Sequence, residues 1–224
     1  MLHRGFEWIA VCGVGALLGG LAWETWFTGA GGAAIPTLLL LALAACFAAQ
    51  LVADLLSGLA HWLADRVLSE STPVLGTHFV KPFREHHEDP ESITRHDFVE
   101  VNGNTCILVA PLLALATLGV AQAEPGAARS TAGAFAFFLA VWLCLTNQFH
   151  RWSHTAERPV WLLALERTKL VLARDHHARH HKAPFDTHFC ITTGMLNPLI
   201  DGLGVFARLE RAAGCRAALP DPLR

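Results

Sequence analysis

Four apolar runs, each long enough to cross a bilayer, constrain this chain more than any other feature. They cover residues 6–27, 35–63, 105–121 and 131–150, and about 20 predominantly apolar residues span a hydrocarbon core as a helix. In lipid every backbone N–H and C=O must find its partner within the segment, so each run is expected to be helical. The first is bounded by Trp8, Trp23 and Trp26, as interfacial aromatics bound a span. A secretory signal peptide is the alternative for that run, with Arg4 as its basic start, but no clear small-x-small cleavage site precedes Trp23. Pro36 stands near the start of the second run, where proline is tolerated, and Pro111 should kink the third. Composition agrees: of 224 residues, 53% are hydrophobic and 16% charged, which is too apolar for an ordinary soluble domain. The expected fold class is all-α, an integral membrane protein with about four transmembrane helices and a cytosolic histidine-rich cap.

The cap is assigned to the polar, turn-rich segments 65–104 and 151–209, and cap and spans together are read as one domain over 1–224. Within it, PVWLLALERTKLVLA (159–173) mixes apolar residues with Glu166, Arg167 and Lys169, the pattern of a helix lying on a membrane surface. Four spans put the N-terminus, the 65–104 loop and everything after His154 on one side. That side carries sixteen of the seventeen Lys and Arg residues and leaves the other with Arg129, so the positive-inside rule makes it cytoplasmic. His61, His86, His87, His96, His150, His154 and the histidines of 176–181 fall on the same side.

Thirteen histidines beside two methionines and no tyrosine is the one compositional excess. In Asp175-His176-His177-Ala178-Arg179-His180-His181 a helical turn sets His177 and His181 four residues apart on one face, and His150 and His154 repeat that spacing. A solvated histidine-rich turn is the plain alternative, but imidazole is also the commonest metal ligand. Asp54, Gly58, His61 and Asp65 also share a helix face at the end of the second run, where ionisable groups are usually functional. A catalytic zinc takes three protein ligands and a structural one four, so eight or more imidazoles imply two metals. The six cysteines are scattered singly without a CxxC pair, which favours neither a zinc ribbon nor a disulfide framework. Imidazole without thiolate suits iron or another first-row metal with positions open to oxygen. Asp54, Asp65, Glu85, Asp89 and Asp175 can bridge metals or, as is favoured here, orient imidazoles. A dinuclear iron site at a membrane surface suits oxygen-driven attack on unactivated C–H bonds. Nothing in a net charge of -2 resembles a nucleic-acid-binding stripe.

The segments DLLSGLAHWLAD (54–65), FREHHEDPESITRHDFVEVNGN (83–104), TNQFHRWSH (146–154), HHARHH (176–181) and HFCITTGMLNPL (188–199) together resemble the CarF-like (Kua-type) lipid desaturases, the plasmanylethanolamine desaturase family. The resemblance covers about 54–209 and implies a histidine-bound pair of iron ions, molecular oxygen and electrons from a cytochrome b-type or ferredoxin donor. It implies as substrate the 1-O-alkyl chain of an ether phospholipid, converted to the vinyl ether of a plasmalogen; a plant branch of the family desaturates a phospholipid acyl chain. The metal ligands it implies are His61, His86, His87, His150, His154, His177, His180 and His181. His96, His176, Asp65, Asp89 and Asp175 are candidates for ligation or for orienting ligands. His3, His78 and His188 fall outside the pattern and are expected at the surface or beside the site. Ile191 to Gly194 and Asn197 are expected to form a supporting turn.

Two rivals stand beside a desaturase. A diiron hydroxylase uses the same centre but inserts oxygen. A metal transporter needs polar ligands in the middle of several spans, whereas these spans are clean in their middles. The expected location is a membrane with the site on its cytoplasmic face, the inner membrane in a bacterium or the endoplasmic reticulum in a eukaryote.

Overall fold

The computed structural model describes residues 2–213, which form helices and, among the described residues, no strand. The His3 side chain and Cys215 lie outside the described residues. Four helical stretches, Arg4–Phe27, Ile35–Val67, Phe98–Gln122 and Ala127–His154, are long and apolar enough to cross a membrane, and the protein is an integral membrane protein. The helices are α1 (Leu2–Ala22), α2 (Ile35–Trp62), α3 (Lys81–Glu88), α4 (Phe98–Gln122), α5 (Ala127–His154), α6 (Val160–Arg167), α7 (Arg174–His180), α8 (Asn197–Gly202) and α9 (Val205–Ala213). A wider π-helical turn continues α1 through Trp23–Phe27 and α2 through Leu63–Val67. The chain divides into two compact units, Met1–Ala53 with Asp97–Gln148, and Asp54–His96 with Phe149–Arg224.

In the first unit Ala10, Val14 and Leu21 of α1 pack with Cys106, Val109, Leu113 and Val120 of α4, and Ala140 and Cys144 of α5 complete the cluster. Small side chains let helices approach closely where lipid supplies no hydrophobic drive between them. At one end the buried Arg129 pairs with Glu24 and donates to Thr28 Oγ1 (2.9 Å) and the Ala123 carbonyl (3.0 Å). At the other, Arg4 pairs with Asp97 and Glu100.

Helix α4 begins at Phe98, seven residues before the start expected from hydropathy. Asp97 Oδ1 accepts the Val99 and Glu100 N–H groups (2.9 and 3.0 Å) while Glu100 Oε2 accepts the Asp97 N–H (3.1 Å), a reciprocal cap that starts the helix in polar sequence. Buried Asn102, one turn in, donates to the Phe98 carbonyl (2.8 Å).

The second unit sets the short helices α3, α6, α7, α8 and α9 around the last turns of α2 and α5. Trp62, Phe189, Cys190, Ile200 and Phe206 form its core. Glu210 of α9 accepts bonds from Arg66 Nε (2.9 Å) and Trp62 Nε1 (3.1 Å), which tie α9 to the end of the α2 stretch. Helix α6 stops at Arg167, short of the expected 173, because Lys169 takes a left-handed φ of +57° that no helix continues.

Candidate metal centre

Every residue of the candidate centre lies in the second unit. Four elements bring donors to it: the end of the α2 stretch (His61, Asp65), α3 (His86, His87), the last turn of α5 (His150, His154), and α7 with the residue after it (His177, His180, His181). Helix α3 turns about 100° between His86 and His87, so the two neighbours serve different groups. The donors sort into His86, His150, His154, His177 and His181 on one hand, and His61, Asp65, His87 and His180 on the other, with the ligand atoms of each group within 4.8 Å of one another.

In the group containing the carboxylate, Asp65 Oδ2 lies 3.3 Å from His61 Nε2, 3.1 Å from His87 Nε2 and 3.3 Å from His180 Nε2. All four side chains are buried, His61, Asp65 and His180 completely. His61 Nδ1 lies 3.2 Å from the Phe189 carbonyl and His180 Nδ1 lies 2.7 Å from that of Thr187. A carbonyl only accepts, so both Nδ1 atoms carry the proton, and in the neutral ring each Nε2 then turns a lone pair toward the Asp65 oxygen. Lone pairs converging on a buried anion are repulsive without a cation among them. One carboxylate balances one imidazolium, not three, whereas a metal ion satisfies all four donors at once. Donors around a metal at about 2.1 Å stand about 3.0–3.4 Å apart, the range seen here.

The other group is imidazole alone. Nε2 of His154 lies 3.0 Å from that of His86 and 3.2 Å from that of His150, and those of His177 and His181 are 3.0 Å apart. Nδ1 of His177 and of His181 is buried with no hydrogen-bond partner. Burial, then the neighbouring His154 and His87, pushes His86 down to about 3. His177 and His181 are held well below the ordinary histidine value, again chiefly by burial and then by other imidazoles. At neutral pH these rings are uncharged, the form that binds metal. Both groups therefore fit metal ions by donor type, spacing and burial. The rings of His87 and His181, one from each group, have centroids 5.0 Å apart, so the groups are neighbours. Phe83, Phe185 and Phe189 pack against His61, His87 and His180 with tilted or edge-on rings.

The other sequence candidates lie apart from the two groups. His176 packs against His188, with ring centroids 4.8 Å apart, and its Nε2 accepts from Asn197 Nδ2 (3.0 Å). His188 Nδ1 faces Asp201 Oδ2 at 3.1 Å. His96, Asp175, Glu85 and His78 are exposed, and the exposed Asp89 pairs with Arg95. Asp54, fully buried, accepts three backbone N–H groups, from Thr193 (2.8 Å), Gly194 (2.9 Å) and Leu196 (2.9 Å), rather than approaching a donor group. The carbonyls of Thr187 and Phe189, which orient two imidazoles, left no trace in the sequence because every residue carries a carbonyl. Asp65 was legible as a carboxylate on the His61 face, but its position among three nitrogens depends on how α3 and α7 fold back.

The model of the lipid desaturase domain family matches residues 50–217. This chain belongs to that family. Among lipid desaturases it is 45% identical over 166 residues to plasmanylethanolamine desaturase 1 of Mus musculus, covering 73% of this chain and 61% of the relative. It is 42% identical over 173 residues to a plasmanylethanolamine desaturase of Myxococcus xanthus, covering 76% and 60%. Chloroplastic fatty acid desaturase 4 of Arabidopsis thaliana is 33% identical over 166 residues, covering 73% and 49%. The chain thus spans about three fifths of the length of the first two relatives. No solved structure matches it.

Proposed function

We propose that this lipid desaturase converts the 1-O-alkyl chain of an ether phospholipid, plasmanylethanolamine, to the vinyl ether of a plasmalogen, using molecular oxygen at a pair of iron ions. The observation that carries this reading is the pair of adjacent buried donor groups, five imidazoles beside three imidazoles and a carboxylate, in a chain whose relatives at 45% and 42% identity are named plasmanylethanolamine desaturases. His86, His150, His154, His177 and His181 would hold one ion, and His61, Asp65, His87 and His180 the other. When bound, the metal pair supplies the oxidising power against an unactivated C–H bond that acid and base side chains lack. The chain's own residues provide neutral imidazoles at working pH and fix two of them by backbone carbonyls. Phe83, Phe185 and Phe189, packed against three of the imidazoles, would help to hold those rings in place for the metal.

Desaturation takes two hydrogens from the alkyl chain, while reduction of one oxygen molecule to two waters needs four electrons. The substrate gives two electrons, so a donor protein of cytochrome b or ferredoxin type supplies the rest. The site is assigned to the cytoplasmic face, because sixteen of the seventeen Lys and Arg residues fall on its side of the four spans. Cysteines placed singly near Gly31 and Gly126 should then react with an impermeant reagent added outside the cell. Protection of both, with labelling near His154, would reverse the orientation.

The deciding experiment is expression in a host that lacks plasmalogens, followed by lipid analysis. Acid-labile vinyl-ether phospholipid that depends on oxygen is the expected product. A new acyl double bond without vinyl ether would assign the chain to acyl desaturation instead, and a hydroxylated chain would make it a hydroxylase.

A further inference from the structure

The face of α2 that carries Asp54, Ser57, Gly58 and His61 is engaged along its length by a single segment, residues 189–196. Asp54 takes the N–H groups of Thr193, Gly194 and Leu196 on its two oxygens. Ser57 Oγ accepts the Ile191 N–H (3.1 Å) while donating to the Asp54 carbonyl (2.8 Å). Gly58 admits Cys190, whose Sγ would lie 2.6 Å from any Cβ built there. His61 Nδ1 meets the Phe189 carbonyl. Asn197 closes the loop by holding Cys190 with both amide atoms, accepting its N–H (2.8 Å) and donating to its carbonyl (2.9 Å). Gly194 takes the left-handed φ of +71° that aims successive N–H groups at one carboxylate.

We propose that Asp54 is a positioning residue for the metal site built on Asp65, acting through this segment rather than on a metal. The inference rests on the metal-site assignment above. By fixing residues 193–196, Asp54 holds the segment in the register at which the Phe189 carbonyl faces His61 and that of Thr187 faces His180. Those two bonds keep the Nδ1 protons in place and present Nε2 to the metal, and such orienting partners raise metal affinity. Toward the five-imidazole group the loop reaches α7 only at His176, whose Nε2 accepts from Asn197 and which belongs to neither donor group, so none of the hydrogen bonds just described ends on one of those five rings. Asp54 therefore bears on one site of the two. A carboxylate is needed because three N–H donors share two acceptor oxygens; an amide would turn its NH2 toward one of them.

The test uses the full chain in detergent, stripped of metal and titrated anaerobically with Fe(II). The unsubstituted protein is expected to bind two equivalents. Asp54→Asn should keep one equivalent at unchanged affinity and weaken the other by about 10–100-fold. Nitrogen NMR of labelled histidine should show loss of the Nδ1–H form at His61 and His180 in this variant. Ser57→Ala, which removes the Ile191 bond alone, should weaken the same equivalent by less and serves if Asp54→Asn does not fold. Two unchanged affinities, or equal weakening of both, overturns the proposal. Fewer than two equivalents in the unsubstituted protein overturns the dinuclear assignment beneath it before any variant is compared.

Discussion

The two donor groups differ in how their imidazoles are held. Around Asp65, two of the three rings are pinned at Nδ1 by backbone carbonyls, and a buried carboxylate stands among the nitrogens. The group of five has no carboxylate; Nδ1 is buried without a partner in two of its five rings, His177 and His181, as it is in His87, the third ring of the first group. On the proposed assignment the first site would be preorganised at His61 and His180 and would carry a negative charge that a cation offsets. The second would be a set of imidazoles whose arrangement depends more on the ion that fills it. One polypeptide thus presents two sites of unlike charge and unlike preorganisation, and each prediction that follows is aimed at that asymmetry.

The largest effect is expected from the donors themselves. Alanine at His61, His86, His150, His154, His177 or His181 should abolish vinyl-ether formation, assayed per unit of expressed protein, and each should lower bound metal. Asp65→Asn should empty its own site by more than the roughly 10–100-fold that loss of an orienting partner costs, because a charged donor is removed outright. If Asp65→Asn instead depletes both sites equally, the two groups do not act as separate sites.

A smaller effect separates the groups without mutation. After chelation, backbone amides of the last turn of α5, which carries His150 and His154 of the five-imidazole group alone, should gain hydrogen exchange more than those of residues 54–65, because the pinned site keeps its hydrogen bonds when the metal leaves. Equal exchange in the two segments would remove the contrast in preorganisation.

The metal-free protein should also lose stability on acidification. His86 titrates near 3 when folded and near 6.5 when unfolded, so between those values the unfolded chain binds the extra proton. Stability from this group is full above about pH 6.5 and declines as pH falls toward 3, with His177 and His181 acting in the same direction. Thermal unfolding across that range, with chelator present, measures it. A melting temperature that rises on acidification would contradict the neutral state assigned to these rings.

Much of this architecture was legible in the residues, and the parts that were not have physical causes. The four spans follow from hydropathy, but the start of α4 did not, because a polar capping box begins a helix that composition reads as loop. The i,i+4 pairs His150/His154 and His177/His181 each fall within one donor group, as helical spacing requires. The assignment of His86 and His87 to different groups, and of His180 to Asp65, depends on the packing of α3 and α7, which no spacing encodes. Asp54 shares the helix face of His61 and invites the same chemistry, yet its oxygens are spent on three backbone donors. Only the fold distinguishes a carboxylate that meets imidazoles from one that meets a turn.

The smallest effect is expected at His78, which is exposed and outside both groups. His78→Ala should leave most activity and all metal in place, within the roughly 0.5 kcal/mol usual for surface substitutions. A dead His78→Ala beside a near-normal His181→Ala would overturn the assignment of the centre even if the product were a plasmalogen.

The central claim is that this chain holds two metal ions in two unlike sites, and metal analysis of anaerobically purified protein tests it most directly. The account predicts about two iron atoms per chain, falling to about one in Asp65→Asn, with activity lost on chelation and regained with Fe(II). One zinc per chain with full activity, or an unchanged metal content in Asp65→Asn, would contradict it.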